Sequence, residues 1–123
     1  MPFADVPALF LDGIIGFCLN GIPRGTSGDF IRWANAQSAP VLALDTPSGI
    51  DLTTGTVYDP VVKATATMTL AMPKEGLLQE KTQDLVGELY LADISVPPAL
   101  YQKPLLEMEV GPIFAENDIV RVR

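Results

Sequence analysis

Apolar positions along the chain fall into short runs separated by Gly, Pro and polar clusters. Ala8 to Ile15 (ALFLDGII) is nearly continuous and broken by one carboxylate, the pattern of a strand covered on both faces in a parallel sheet. A loop rich in Gly and Pro follows, from Gly16 to Gly25. From Thr26 or Ser27, each a fair N-cap, to about Gln37, the residues Phe30, Ile31 and Ala34 recur at helical spacing with Trp33 beside them. The spacing predicts a helix with one face laid on the sheet. Pro40 then introduces Val41-Leu42-Ala43-Leu44, uniformly apolar and ended by Asp45-Thr46-Pro47-Ser48-Gly49. Strand, helix and strand in that order predict a βαβ crossover.

Beyond it, Asp51 to Gly55 (DLTTG) reads as a turn, and Ala66 to Met72 (ATMTLAM) as a third strand ending at Pro73-Lys74-Glu75-Gly76. Glu88 to Ile94 (ELYLADI) alternates enough to be a fourth strand, nearer an edge of the sheet. Pro97-Pro98 and Pro104 break regular structure, so residues 99–123 are expected to form an irregular tail. Within that tail Ile119 to Val122 is either a short closing strand or a loose terminus.

Composition narrows the possibilities. The 123 residues allow one small domain, residues 1–123, and 48% apolar against 19% charged residues is globular rather than disordered composition. Fifteen acidic against eight basic side chains give a net charge of −7, which repels a phosphate backbone, so nucleic acid is not an expected partner. The chain has no histidine, which removes Ser-His-Asp triads, Cys-His dyads and His-ligated zinc. The single cysteine, Cys18, excludes an intramolecular disulfide. No apolar run approaches the ~20 residues of a membrane span, and the N-terminus lacks the basic stretch of a signal peptide. The expectation is a soluble intracellular protein of the cytoplasm, with no membrane contact.

In an open parallel sheet, ligands bind beyond the carboxyl ends of the strands, where loops and helix N-termini converge. Asp12 lies late in the first strand and Asp45 ends the second, just before Ser48. If those strands are neighbours, two carboxylates and a hydroxyl share one crevice. Such hard oxygen donors suit an alkali or alkaline-earth cation. Ordinary turn chemistry, with Asp or Ser capping backbone amides, accounts for the same residues and stays open at this stage. Lys74 reads as a solvated loop lysine before it reads as a substrate contact, and Asp51 as a turn-stabilising residue. Phe30 and Trp33 are expected to pack against the sheet. Cys18 lacks the basic neighbours that would make it a nucleophile.

The order of motifs adds a resemblance. Asp12-Gly13-Ile14-Ile15-Gly16-Phe17, Ala39 to Asp51 (APVLALDTPSGID), Thr54-Gly55, Pro73 to Leu78 (PKEGLL), Val86-Gly87-Glu88 and Ala92 to Pro98 (ADISVPP) follow one another as in the C-terminal half of the YjeF N-terminal domain family. That family comprises the NAD(P)H-hydrate epimerases and includes the apolipoprotein A-I-binding protein. The resemblance covers nearly the whole chain. It implies a Rossmann-like three-layer α/β/α fold with a truncated, mostly parallel sheet lacking the family's N-terminal half. It also implies interconversion of the R and S forms of hydrated NADH or NADPH. By resemblance Asp12 and Ser48 match ligands of a potassium ion. The loop Gly16, Phe17, Cys18, Leu19, Asn20, Gly21 and Ile22 matches residues that contact the nucleotide, and Asp45 matches the substrate-contacting carboxylate, expected to act as acid and base.

The family's glycine-rich N-terminal loop and its asparagine cation ligand have no counterpart in these residues. The strand Ala8 to Ile15, interior in the whole fold, is then expected to expose one edge and to pair with a second copy in a homodimer. A monomer with residues 1–7 folded over that edge is the alternative. In function, the alternative to an epimerase is a non-catalytic, self-associating half-domain that serves as a binding or interaction module.

Overall fold

The computed structural model describes residues 7–97 and 114–123. Five strands form one sheet in the order of the sequence: β1 (Phe10–Asp12), β2 (Val41–Leu44), β3 (Ala66–Leu70), β4 (Glu88–Ala92) and β5 (Ile119–Arg121). The first four are parallel and the last is antiparallel to β4. The Rossmann-like, mostly parallel α/β sheet expected from the sequence is thus the observed architecture.

The 11-residue helix α1 (Gly25–Asn35) joins β1 to β2, as the predicted crossover requires. It starts one residue before Thr26, with Arg24 in the N-cap position and no side-chain cap, so neither Thr26 nor Ser27 caps it. Between β2 and β3 no helix is present; residues 46–65 form a folded loop held by a bridge between Ile50 and Val57. Between β3 and β4 run α2 (Glu75–Leu78), a 3-10 turn (Glu80–Thr82) and α3 (Gln83–Val86).

Parallel strands with sequential order and right-handed crossovers place the connections from β1 through β4 on one face of the sheet. The burial pattern agrees. Val41, Ala43, Asp12, Thr67, Thr69, Leu89 and Leu91 share a face by register and by period two, and all are buried. Two apolar clusters cover that face: Ile31 of α1 with Val41 and Val62, and Leu77 and Val86 with Ile50, Leu52 and Leu89. Thr67, buried in the middle of β3, is satisfied by donating to the Val86 carbonyl at 2.8 Å. Of the three expected layers, the described residues build the sheet and one helical layer. On the opposite face Leu11 is 61% and Leu44 42% exposed.

Strand ends differ from the apolar runs, each for a local reason. The first run predicts a strand to Ile15, but the ladder stops at Asp12 because the Ile14 amide bonds to the Asp12 carboxylate and the Ile15 amide to the Ser48 hydroxyl. The third stops at Leu70, where Ala71 turns left-handed (φ 64°). The fourth stops at Ala92 and lies near an edge of the sheet, as expected, with only β5 beyond it. Ile119–Arg121 takes the closing-strand alternative rather than that of an irregular tail, while residues 99–113 of the expected tail lie outside the described residues, as do residues 1–6. Trp33 meets Phe10 of β1 edge to face at 5.1 Å, as a packing role predicts. Phe30, 37% exposed, borders the sheet beside it, lining with Trp33 a hollow whose walls include Phe10 of β1 and Val41 of β2.

Candidate functional site

Because β1 and β2 are neighbours in register, with Asp12 opposite Ala43, their carboxyl ends open into one crevice. Asp12 is 4% exposed. Its carboxylate accepts from the Ser48 amide at 2.7 Å, the Ser48 hydroxyl at 2.6 Å and the Ile14 amide at 3.2 Å. The Ser48 oxygen in turn accepts from the Ile15 amide at 2.9 Å, and the Ile15 carbonyl oxygen lies 3.2 Å from it. Expectation and observation agree that Asp12 and Ser48 meet. The turn that brings Ser48 there needs Gly49, at φ 112°, because a Cβ would stand 2.7 Å from the Pro60 carbonyl and the Val61 backbone.

Among the described residues no basic side chain pairs with Asp12. A buried carboxylate with three donors and no counter-charge is a place where a cation lowers the electrostatic cost of burial. The surrounding donors are all oxygen: the carboxylate, a hydroxyl and a main-chain carbonyl. That set fits potassium in chemistry, and no cluster of three or more Asp, Glu, Cys or His side chains suited to a harder-bound metal occurs among the described residues.

Asp45 ends β2 in a left-handed conformation, φ 69°. Its amide still reaches across to the Met68 carbonyl at 2.8 Å, while the Thr46 amide folds back on the Leu44 carbonyl at 2.9 Å, a γ-turn centred on a non-glycine residue. The neighbouring strand repeats the device: Ala71 has φ 64°, and the Met72 amide bonds to the Leu70 carbonyl at 2.7 Å. These turns swing both chains out of the ladder, and a left-handed non-glycine residue costs about 1–3 kcal/mol that the surrounding structure must hold.

The Asp45 turn carries its carboxylate toward two other groups. A Cβ on Gly16 would lie 4.0 Å from Asp45 Oδ2, so the glycine loop passes directly over the carboxylate. Lys74 Nζ stands 3.4 Å from Asp45 Oδ1, with side chains 22% and 20% exposed. Lys74 is therefore not the solvated loop lysine that its position in Pro73-Lys74-Glu75-Gly76 predicts. The only sequence signal for the pair was that both residues follow parallel strands, and the adjacency of β2 and β3 turns that into contact.

Phe17 extends from the glycine loop to line a cleft of about 220 Å³ with Leu52, Thr53, Lys74 and Glu75. Cys18, Asn20 and Ile22 are exposed, and Leu19 and Gly21 half-buried, on the surface between that cleft and α1. Asp51 takes the turn role expected of it: its carboxylate accepts from the Thr53 and Thr54 amides at 2.8 and 3.1 Å.

The fold and the crevice define an α/β protein with its polar groups gathered at the strand ends, and comparison with known proteins identifies the family. The model of the YjeF-related protein N-terminus matches residues 2–76, and the chain belongs to that family. An NAD(P)H-hydrate epimerase of Dehalogenimonas lykanthroporepellens is 41% identical over 107 residues, which is 87% of this chain and 42% of the relative. A second from Truepera radiovictrix is 41% identical, over 83% of this chain and 45% of its own length. A bifunctional NAD(P)H-hydrate repair enzyme of Pyrobaculum aerophilum is 36% identical over 85% of this chain and 20% of its length. The chain thus spans less than half of each of these relatives. In fold, a crystal structure of a yeast protein superposes with a TM-score of 0.71 at 18% identity, covering 94% of this chain and 46% of the yeast chain.

Proposed function

We propose that the chain acts on hydrated NADH or NADPH and interconverts its R and S forms, with Asp45 as the acid and base of the reaction. The observation that carries this reading is the placement of the Asp45 carboxylate, held out of the β2 ladder by a left-handed turn and lying beneath the Gly16 loop. The identity of 36–41% to epimerases and repair enzymes supports it.

The substrate carries a hydroxyl on the carbon beside the ring nitrogen. A proton delivered to that hydroxyl lets the nitrogen lone pair expel water and leaves a planar iminium. Water then adds to either face, and the carboxylate takes up the proton that it releases. In this reading the loop Gly16 to Ile22 lies against the nucleotide, and open space around Gly21, where a Cβ would meet nothing within 4 Å, leaves room for it. Asp12 and Ser48, with the Ile15 carbonyl, are the residues that would hold potassium. Bound there, the ion supplies positive charge beside the buried carboxylate and attraction for the oxygens of an anionic substrate.

The reading includes a homodimer through the strand Ala8–Ile15. Within the described residues β1 pairs only with β2, its other edge is free, and Leu9 and Leu11 are 51% and 61% exposed beside it. The same observation favours a second reading, a non-catalytic module whose use is self-association. Epimerisation of purified R and S hydrated NADH in potassium, with Asp45→Ala as the control, separates the two. Turnover lost in the variant supports the epimerase; no turnover in either protein leaves the module.

A further inference from the structure

Resting on the epimerase reading but moving its acid from Asp45 to the neighbouring lysine, we infer that the proton delivered to the leaving hydroxyl is held on Lys74 Nζ, with Asp45 as the base of an Asp45–Lys74 pair. The two side chains form an ion pair at 3.4 Å, with about four-fifths of each withdrawn from solvent. In such a pair aspartate is the carboxylate and lysine the ammonium. A carboxylate has no proton to give, whereas the ammonium beside it does.

The surroundings fix the ammonium in place. Nζ donates to the Leu70 carbonyl at 2.5 Å and to the hydroxyl of fully buried Thr69 at 3.2 Å, which leaves the long contact to Asp45 as its third. Lysine has three N–H donors, so the two shorter bonds anchor the group and the loose one can be replaced by a substrate oxygen inserted between Nζ and the carboxylate. The backbone beneath is equally confined. The Gly76 amide bonds to the Leu52 carbonyl at 3.0 Å, and a Cβ at Gly76 would come within 2.7 Å of the Asp51 and Leu52 carbonyl oxygens. The same lysine lines the cleft that begins at Phe17.

The step balances as follows. An Nζ–H bond breaks and an O–H bond forms on the substrate hydroxyl; the C–O bond breaks with its electron pair, releasing water, and the ring nitrogen lone pair forms the C=N bond. In the return step a water oxygen attacks that carbon, the C=N pair returns to nitrogen, and the proton lost by the water goes back to the neutral amine through the Asp45 carboxylate.

Lys74→Arg keeps the positive charge and the fold but offers a group that does not release a proton. Lys74→Ala removes the group and opens space for a small amine. In potassium-containing buffer, with hydrated NADH as substrate and thermal midpoints as the folding control, both variants are expected to lose about 100-fold or more in kcat with KM within about threefold of the parent chain. Methylammonium is expected to restore rate to Lys74→Ala in proportion to its concentration, and to leave Asp45→Ala unchanged. A Lys74→Arg protein with parental kcat, or a Lys74→Ala protein indifferent to the amine and near parental rate, overturns the assignment to Lys74 while leaving the epimerase reading intact. No turnover by the parent chain overturns both.

Discussion

The Asp12 carboxylate and the Ser48 hydroxyl, 36 residues apart in the chain, meet at 2.6 Å inside the crevice between β1 and β2. The contact ties the end of one strand to the turn after the next. It is at once a structural clasp and the candidate cation site, and the two roles make different predictions.

As a clasp, Asp12 accepts from the Ile14 and Ser48 amides and from the Ser48 hydroxyl, whose other acceptor is the Ile15 carbonyl. Asp12→Ala leaves the two amides unpaired and is expected to lower stability by about 2–4 kcal/mol, since each orphaned buried donor costs about 1–3 kcal/mol. Urea titration followed by circular dichroism measures it; a change under about 0.5 kcal/mol would mean that water replaces the carboxylate at no cost.

As a cation site, Asp12 and Ser48 predict ion-specific stabilisation. A ligand that binds only the folded chain stabilises it, by about 1.4 kcal/mol at a concentration ten times its dissociation constant, and so raises its melting point. The thermal midpoint is expected to be higher in potassium chloride than in tetramethylammonium chloride of equal ionic strength. Asp12→Asn removes the charge, and with it the difference between the salts. Equal midpoints in both salts for the parent chain speak against a potassium site here.

Gly87 enters β4 at φ 63° and ψ −143°, and a Cβ there would collide with the Thr65 carbonyl. Gly87→Ala is expected to cost about 2–4 kcal/mol through strain in a region open only to glycine. Gly21→Ala, where a Cβ meets nothing, is the matched control and should change stability by less than about 0.5 kcal/mol. A similar loss in both variants would mean that residues 86–88 shift to make room.

Leu11 projects from β1 on the face of the sheet that the described residues leave uncovered. Leu11→Lys places a charge on that surface and is expected to convert a dimer to a monomer in sedimentation equilibrium with little change in secondary structure. A parent chain that sediments as a monomer at micromolar concentration removes the homodimer from the proposal.

Much of this was legible in the sequence, and the parts that were not share a cause. Val41 to Leu44 is a strand to the residue, because a short apolar run between Pro40 and Asp45 has no other way to satisfy its backbone and bury its side chains. The crossover helix is legible for the same reason, as is the turn role of Asp51, since an Asp two and three residues before its amide partners acts locally. The short helices α2 and α3 were not: four residues each carry no readable period, and tertiary contacts through Leu77 and Val86 hold them. The left-handed turns at Asp45 and Ala71 were equally hidden, because alanine does not mark such a conformation and aspartate, though enriched there, adopts others far more often.

By itself the sequence determined the order of strands and helix, the acidic and histidine-free chemistry, and the candidacy of Asp12, Asp45 and Ser48, since all of these follow from local pattern and residue type. Tertiary structure alone decided that Asp12 is clasped by Ser48, that Lys74 reaches Asp45, and that the helices of the described residues all lie on one face of the sheet. Each of these depends on which strands lie side by side, and that is settled by long-range burial that no local window of sequence contains.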